Sequence, residues 1–201
     1  MSTTPRTARG RATRERIVRA ATDLITQAGV ADTSLDDVRD RAQVSKSQLY
    51  LYFPDREALL REVAGSTCEM VLEGQEEALH GFDTITGIER YLDALVDLQV
   101  TQETPTGCPI ATLAGQLADR DERTRLILAD GLARWEQGLR EGLKAMAQRG
   151  ELRADADPCL LANQTLAILQ GGLLLAHVRR DPGQMRIAAD TVLAVVKAAL
   201  A

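Results

Sequence analysis

Val44-Ser45-Lys46-Ser47-Gln48-Leu49-Tyr50-Leu51-Tyr52-Phe53-Pro54-Asp55-Arg56-Glu57-Ala58-Leu59-Leu60 is the stretch that decides the fold. Three of the chain's six aromatic residues, Tyr50, Tyr52 and Phe53, fall within four positions of one another here. Ser45 is a strong helix N-cap, and Pro54-Asp55 ends one helix and starts another. Leu49 and Phe53, four residues apart, take the inward side of the short helix between these signals. Lys46, Ser47 and Gln48 crowd its first turn with hydrogen-bond donors. Upstream, Gln43-Val44-Ser45 breaks the chain after a second short helix through Ala42. Thr33 or Ser34 can cap that helix, with Asp36 or Asp37 three residues on completing a capping box. Before it, residues 13–28 set Ile17, Ala20, Ala21, Leu24, Ile25 and Ala28 on one face and stop at Gly29. Two short helices joined by about three residues and preceded by an amphipathic helix make a helix-turn-helix candidate.

In that motif the second helix enters the DNA major groove. Lys46 supplies charge there, and Gln48 has the amide that pairs bidentately with adenine. Ser45 and Ser47 add hydroxyls to the same turn. Tyr50 and Tyr52 offer phenols to phosphates. Thr33 and Ser34 can donate to a phosphate beside the free N–H groups of their helix end, and Arg56 can grip the same strand. Charge agrees with this assignment. Residues 1–61 carry 11 Lys/Arg against 8 Asp/Glu, while the remainder carries 13 against 21, within a formal net charge of -5. Arg6, Arg9, Arg11, Arg14, Arg16 and Arg19 crowd the first twenty residues against Glu15 alone. A basic arm on an acidic body points the N-terminal end at a polyanion.

The rest of the chain reads as helix nearly throughout, at roughly 55–80, 84–102, 109–118, 121–149, 158–179 and 183–200. All six prolines lie outside the periodic segments or in a first turn. Asp157-Pro158 and Asp181-Pro182 repeat one start signal, an Asp cap before a first-turn proline. No segment alternates as a strand does, so the fold class is all-α, with about nine helices. The 121–149 segment places Leu128, Leu132, Trp135, Leu139, Leu143 and Met146 on one face. The last two helices are apolar on nearly every side, which requires burial against two surfaces. The expected second surface is a partner subunit, so the reading is a homodimer joined by a four-helix bundle. Leu169, Gly172, Leu173, Val192 and Val196 are its expected interface.

The stretch from Val44 to Leu60 resembles the recognition-helix signature of TetR-type transcriptional regulators, with its Leu-Tyr-x-Tyr-Phe core. Thr33-Ser34-Leu35-Asp36-Asp37-Val38 is similar to the start of that family's second helix, and the likeness covers residues 13–60. It implies an N-terminal three-helix DNA-binding head, a larger helical body for ligand binding and dimerisation, and a homodimer on a palindromic operator in double-stranded DNA. It also implies an unidentified small-molecule inducer that enters the body and releases the operator, with repression the commoner mode. The corresponding division is a basic disordered arm (1–12), a helix-turn-helix domain (13–54) and a ligand-binding and dimerisation domain (55–201). Two positions depart from the pattern. Arg39 stands where a small residue is usual, and Gln43 stands where the turn usually has glycine, at a cost on the order of 1 kcal/mol.

Met70, Tyr91, Cys108, Trp135, Gln170 and His177 are the candidate ligand-pocket groups of the body. Gly107-Cys108-Pro109 puts a thiol at a helix N-terminus, where the dipole favours thiolate. The alternative function is therefore an electrophile- or oxidant-sensing repressor acting through Cys108, the competing reading being an inert buried thiol. Cys68 and Cys159 are expected to be structural. No spacing of His, Cys or carboxylates suggests a metal site, and no cofactor is expected. An enzyme is not expected either: GxSxG, GxGxxG and P-loop motifs are missing. A helical interaction bundle without DNA would leave the Lys46–Tyr52 turn and the basic arm unexplained. No run of 18 apolar residues exists, no CxxC occurs among three cysteines, and no apolar stretch follows the N-terminal arginines. These point to a cytoplasmic protein without a membrane span.

Overall fold

A computed structural model of the chain describes residues 7–101 and 107–201. The described residues form nine helices and no strand: α1 (Ala8–Ala28), α2 (Leu35–Ala42), α3 (Lys46–Tyr52), α4 (Arg56–Leu79), α5 (Ile85–Val100), α6 (Pro109–Leu117), α7 (Glu122–Gln148), α8 (Pro158–Arg179) and α9 (Gly183–Ala198). The all-α architecture read from periodicity is thus present, and the expected boundaries agree closely. One boundary needs correction. The N-terminal arm, expected to be disordered over residues 1–12, is helical from Ala8, because Thr7 caps α1 by accepting the Gly10 N–H at 3.1 Å. Arg9 and Arg11 therefore ride on α1; residues 1–6, with Arg6, lie outside the described residues.

The chain packs as two compact units. One comprises the residues up to Glu69 together with Leu113–Ala129; the other comprises Met70–Thr112 and Asp130–Ala201. The first unit takes in more than the three-helix head, because the start of α4 and the α6–α7 turn fold with it. Its interior is built from Ile17, Ala21 and Ile25 of α1, Val38 of α2, Leu49 and Phe53, all nearly inaccessible. Arg14 stacks its guanidinium 5.3 Å from the centre of the Phe53 ring and pairs with Glu62. Arg16 Nε donates to the Ala42 carbonyl at 2.9 Å, satisfying an open group at the end of α2.

In the second unit α9 packs against both α8 and α5. Leu169, Gly172, Leu173, Val192 and Val196 are all buried within the chain itself. That overturns their assignment to a subunit interface. Gly172 explains the geometry: a Cβ there would collide with that of Ala188, so the glycine allows α8 and α9 of one chain to approach closely. The faces left outward carry Leu160, Leu174 and Val178 of α8 (55%, 60% and 68% exposed) and Ile187 of α9 (62%). Among the described residues α8 alone is long and apolar enough to cross a membrane by length and composition.

Candidate DNA interface and buried ligand cluster

The turn between α2 and α3 is made by local chemistry. Ser34 and Asp37 close a reciprocal capping box at the start of α2, and Ser45 and Gln48 close another at the start of α3. Between them Gln43 takes a left-handed conformation (φ 51°, ψ 52°), the geometry expected for a position usually held by glycine. Its N–H returns to the carbonyls of Arg39 and Asp40. Arg39 turns outward to the carboxylates of Asp36 and Asp40, which is how the motif accommodates a long side chain at this position.

Leu49 (2% exposed) and Phe53 (0%) anchor α3 inward. Lys46, Ser47, Gln48 and Tyr50 are exposed on its other sides, while Tyr52 is half-buried. Leu51 is 65% exposed beside them. Sequence reading passed over it as an apolar residue, although an outward leucine offers a methyl-binding surface to a thymine. Gln48 is less open than expected. Its Oε1 accepts the Ser45 N–H at 2.9 Å, so its oxygen is engaged in the cap of its own helix. The Ser45 Oγ is likewise used, accepting the Gln48 N–H at 3.2 Å and lying 3.0 Å from the Ser47 Oγ.

The positions expected to hold phosphates are arranged differently. Thr33 is buried and its hydroxyl donates to the Gly29 carbonyl at 2.9 Å. The Ser34 hydroxyl donates to Asp37 Oδ2 at 2.6 Å. That bond, followed by the Ser34 N–H, holds the Asp37 carboxyl below its ordinary range, so a negative charge stands at this helix end. Arg56 turns inward, donating to the Val30 carbonyl and to the Thr33 carbonyl at 3.2 Å. These partners lie 23 and 26 residues away in sequence, where local patterns carry no signal. Exposed cations next to the motif come instead from α1, where Arg9, Arg11, Arg16 and Arg19 face outward.

In the second unit four of the six candidate pocket groups belong to two buried or half-buried hydrogen-bonded sets. Tyr91 donates its hydroxyl to Gln75 Oε1 at 2.6 Å and accepts the Trp135 Nε1–H at 2.8 Å, with the Phe82 ring 5.1 Å away edge-on. Burial pushes the Tyr91 phenol well above its ordinary value, so it is a neutral donor. Gln170 Nε2 donates to the Cys108 Sγ at 3.6 Å, and Cys108 is 5% exposed. Met70 and His177, by contrast, are exposed on their helices. Cys68 is buried, as expected of a structural thiol, but Cys159 is exposed in the first turn of α8.

Gln75 and Gln99 (2% exposed) are buried glutamines that sequence reading missed. The signal was there: each is an uncharged polar residue among apolar positions of an amphipathic helix. The oxygens Gln99 Oε1, Thr165 Oγ1 and Gln170 Oε1 are buried with no hydrogen-bond partner among the described residues. Buried polar groups left unpaired are costly.

A capped recognition helix with an outward polar turn, on an all-helical chain whose body buries neutral polar groups, defines a helix-turn-helix DNA-binding regulator. Comparison with known proteins names the family. The profile described as "Bacterial regulatory proteins, tetR family" matches residues 17–63, and "Tetracyclin repressor-like, C-terminal domain" matches residues 85–192. An uncharacterized HTH-type transcriptional regulator of Mycobacterium tuberculosis, Rv0196, is 33% identical over 177 residues, covering 84% of this chain and 86% of its own. The HTH-type transcriptional repressor DhaR of a Mycobacterium species (strain GP1) is 24% identical over 172 residues, 84% of each chain. A TetR-family transcriptional regulator from Cytophaga hutchinsonii shares the fold at a TM-score of 0.84 and 17% identity, over 98% of both chains. The chain belongs to the TetR family of transcriptional regulators.

Proposed function

We propose that the protein is a homodimeric repressor that binds a palindromic operator in the cytoplasm and releases it when a small neutral molecule enters the second unit. The observation that carries this reading is α3, whose capped first turn holds Lys46, Ser47 and Gln48 outward over the buried Leu49 and Phe53. Lys46 would take a phosphate, while Ser47, the Gln48 NH₂ and Leu51 would read base edges. Tyr50 and Tyr52 would add phosphate contacts, and the arginines of α1 and the N-terminal arm would add charge without sequence preference. Repression is supported by the likeness to DhaR, a repressor by name. Dimerisation is supported by the outward apolar faces of α8 and α9. An uncharged inducer able to donate hydrogen bonds is supported by the unpaired buried amide oxygens of Gln99 and Gln170, which accept N–H or O–H groups and bring no charge, while the unpaired Thr165 hydroxyl can donate or accept.

The test is to incubate the purified protein with sheared DNA from its own genome and to sequence what it retains. The expected result is enrichment of a palindrome with half-sites about one helical turn apart, roughly 34 Å. Uniform recovery that disappears at moderate salt would leave only non-specific attraction and would refute the reading.

A further inference from the structure

We infer that Gln116 is a positioning residue for operator recognition, acting through the connection between α1 and α2. The inference rests on the DNA-binding reading above. Gln116 is the penultimate residue of α6, yet its Oε1 accepts the backbone N–H of Val30, 86 residues away, at 2.8 Å. The approach is close enough that a Cβ on Gly29, at φ +85°, would stand 3.3 Å from the same oxygen. Val30 itself is 1% exposed, and its carbonyl is held by Arg56 of α4.

Both backbone groups of one connector residue are therefore tied to side chains from outside the three helices that meet DNA. A loop of this kind ordinarily satisfies its peptide groups with water or with its own turn. Here Gln116 fixes the N–H, Arg56 joins the Thr33 N–H (3.4 Å) on the C=O, and Arg56 and the Thr33 hydroxyl tie the two ends of the connector. The connector sets where α2 begins, and α2 and its turn carry α3. Cys108, which accepts from Gln170, immediately precedes α6 in the chain.

The experiment measures binding of full-length protein by fluorescence anisotropy to the operator recovered above, to copies with the half-site separation changed by one base pair, and to unrelated DNA. Gln116→Met keeps the stem and removes the acceptor; Gln116→Glu keeps an acceptor oxygen. Gln116→Met is expected to weaken operator binding about tenfold, the bond to the Val30 N–H being lost in each subunit. It is also expected to blunt the preference for the native separation, with affinity for unrelated DNA and its salt dependence unchanged. Gln116→Glu is expected to restore the preference. The inference is overturned if Gln116→Met discriminates separations as the wild type does. It is overturned equally if both variants lose specific and non-specific binding together, which is the pattern of a purely structural residue. A wild type that does not distinguish the operator from unrelated DNA would instead take down the DNA-binding reading and the inference with it.

Discussion

Gln43 is an L-residue held at φ 51° because the α2–α3 turn needs a left-handed position. Its side chain is exposed, so a glycine there would lose no packing and relieve the Cβ conflict. Gln43→Gly should raise stability by about 0.5–1 kcal/mol, a gain of a few degrees in thermal midpoint for a chain of this length. An unchanged or lowered midpoint would show that the turn is unstrained. Asp37 gives a second prediction. Its folded carboxyl titrates below its ordinary 3.8, first because of the Ser34 hydroxyl and then because of the Ser34 N–H. A depressed folded value means stability that is present above the unfolded value and lost as pH falls through the folded one. Thermal melts should therefore show Asp37→Asn less stable than the wild type at pH 6, with the gap narrowing as the pH falls below 3.8. The Ser34–Asp37 capping box that holds this charge was legible in the sequence as a four-residue pattern, whereas Ser45 was read as a cap without its Gln48 partner. The orientation of Thr33 and Arg56 was not. Both face carbonyls of the α1–α2 connection, and a single sequence does not say which distant backbone group a donor will find.

At the scale of elements, α7 was readable in position and face because its stripe is a period, and Leu128, Trp135, Leu139, Leu143 and Met146 are all buried. What the period does not encode is the chemistry across helices. The Trp135 indole N–H ends on the Tyr91 hydroxyl, which itself is spent on Gln75, a chain of three side chains from α7, α5 and α4. Removing the middle member strands both neighbours. Tyr91→Phe should cost about 1–3 kcal/mol in urea denaturation. Trp135→Phe should add less in the Tyr91→Phe background than in the wild type, because its polar partner has already gone. Additive costs would mean that the three groups do not act as one network. α8 shows the converse limit. The sequence shows a helix apolar all round and thus two buried faces, but it does not say which face meets its own chain. Gly172 went to α9 and Leu169 to the interior, leaving Leu160, Leu174 and Val178 outward.

Those outward residues set the question for the whole molecule. Leu160, Leu174 and Val178 recur on α8 at spacings that keep them on one face, and Ile187 stands exposed on α9, the helix packed against it. Clustered apolar exposure of this kind marks an interaction surface. A second copy of the chain fits the proposed binding to a palindrome. Lysines at two of these positions, Leu174→Lys with Val178→Lys, should leave the helical circular-dichroism signal intact and give a monomer by sedimentation. The monomer should bind the palindrome on the order of a hundredfold more weakly, because the second half-site is no longer delivered at high effective concentration. Its affinity for a single half-site should be unchanged. Leu169→Lys makes the contrast. Leu169 is 0% exposed inside one chain, so an unpaired charge there should unfold the protein rather than dissociate it. If the double-lysine variant stays dimeric while remaining folded, the subunits meet through some other surface, and the apolar face of α8 must serve a different partner.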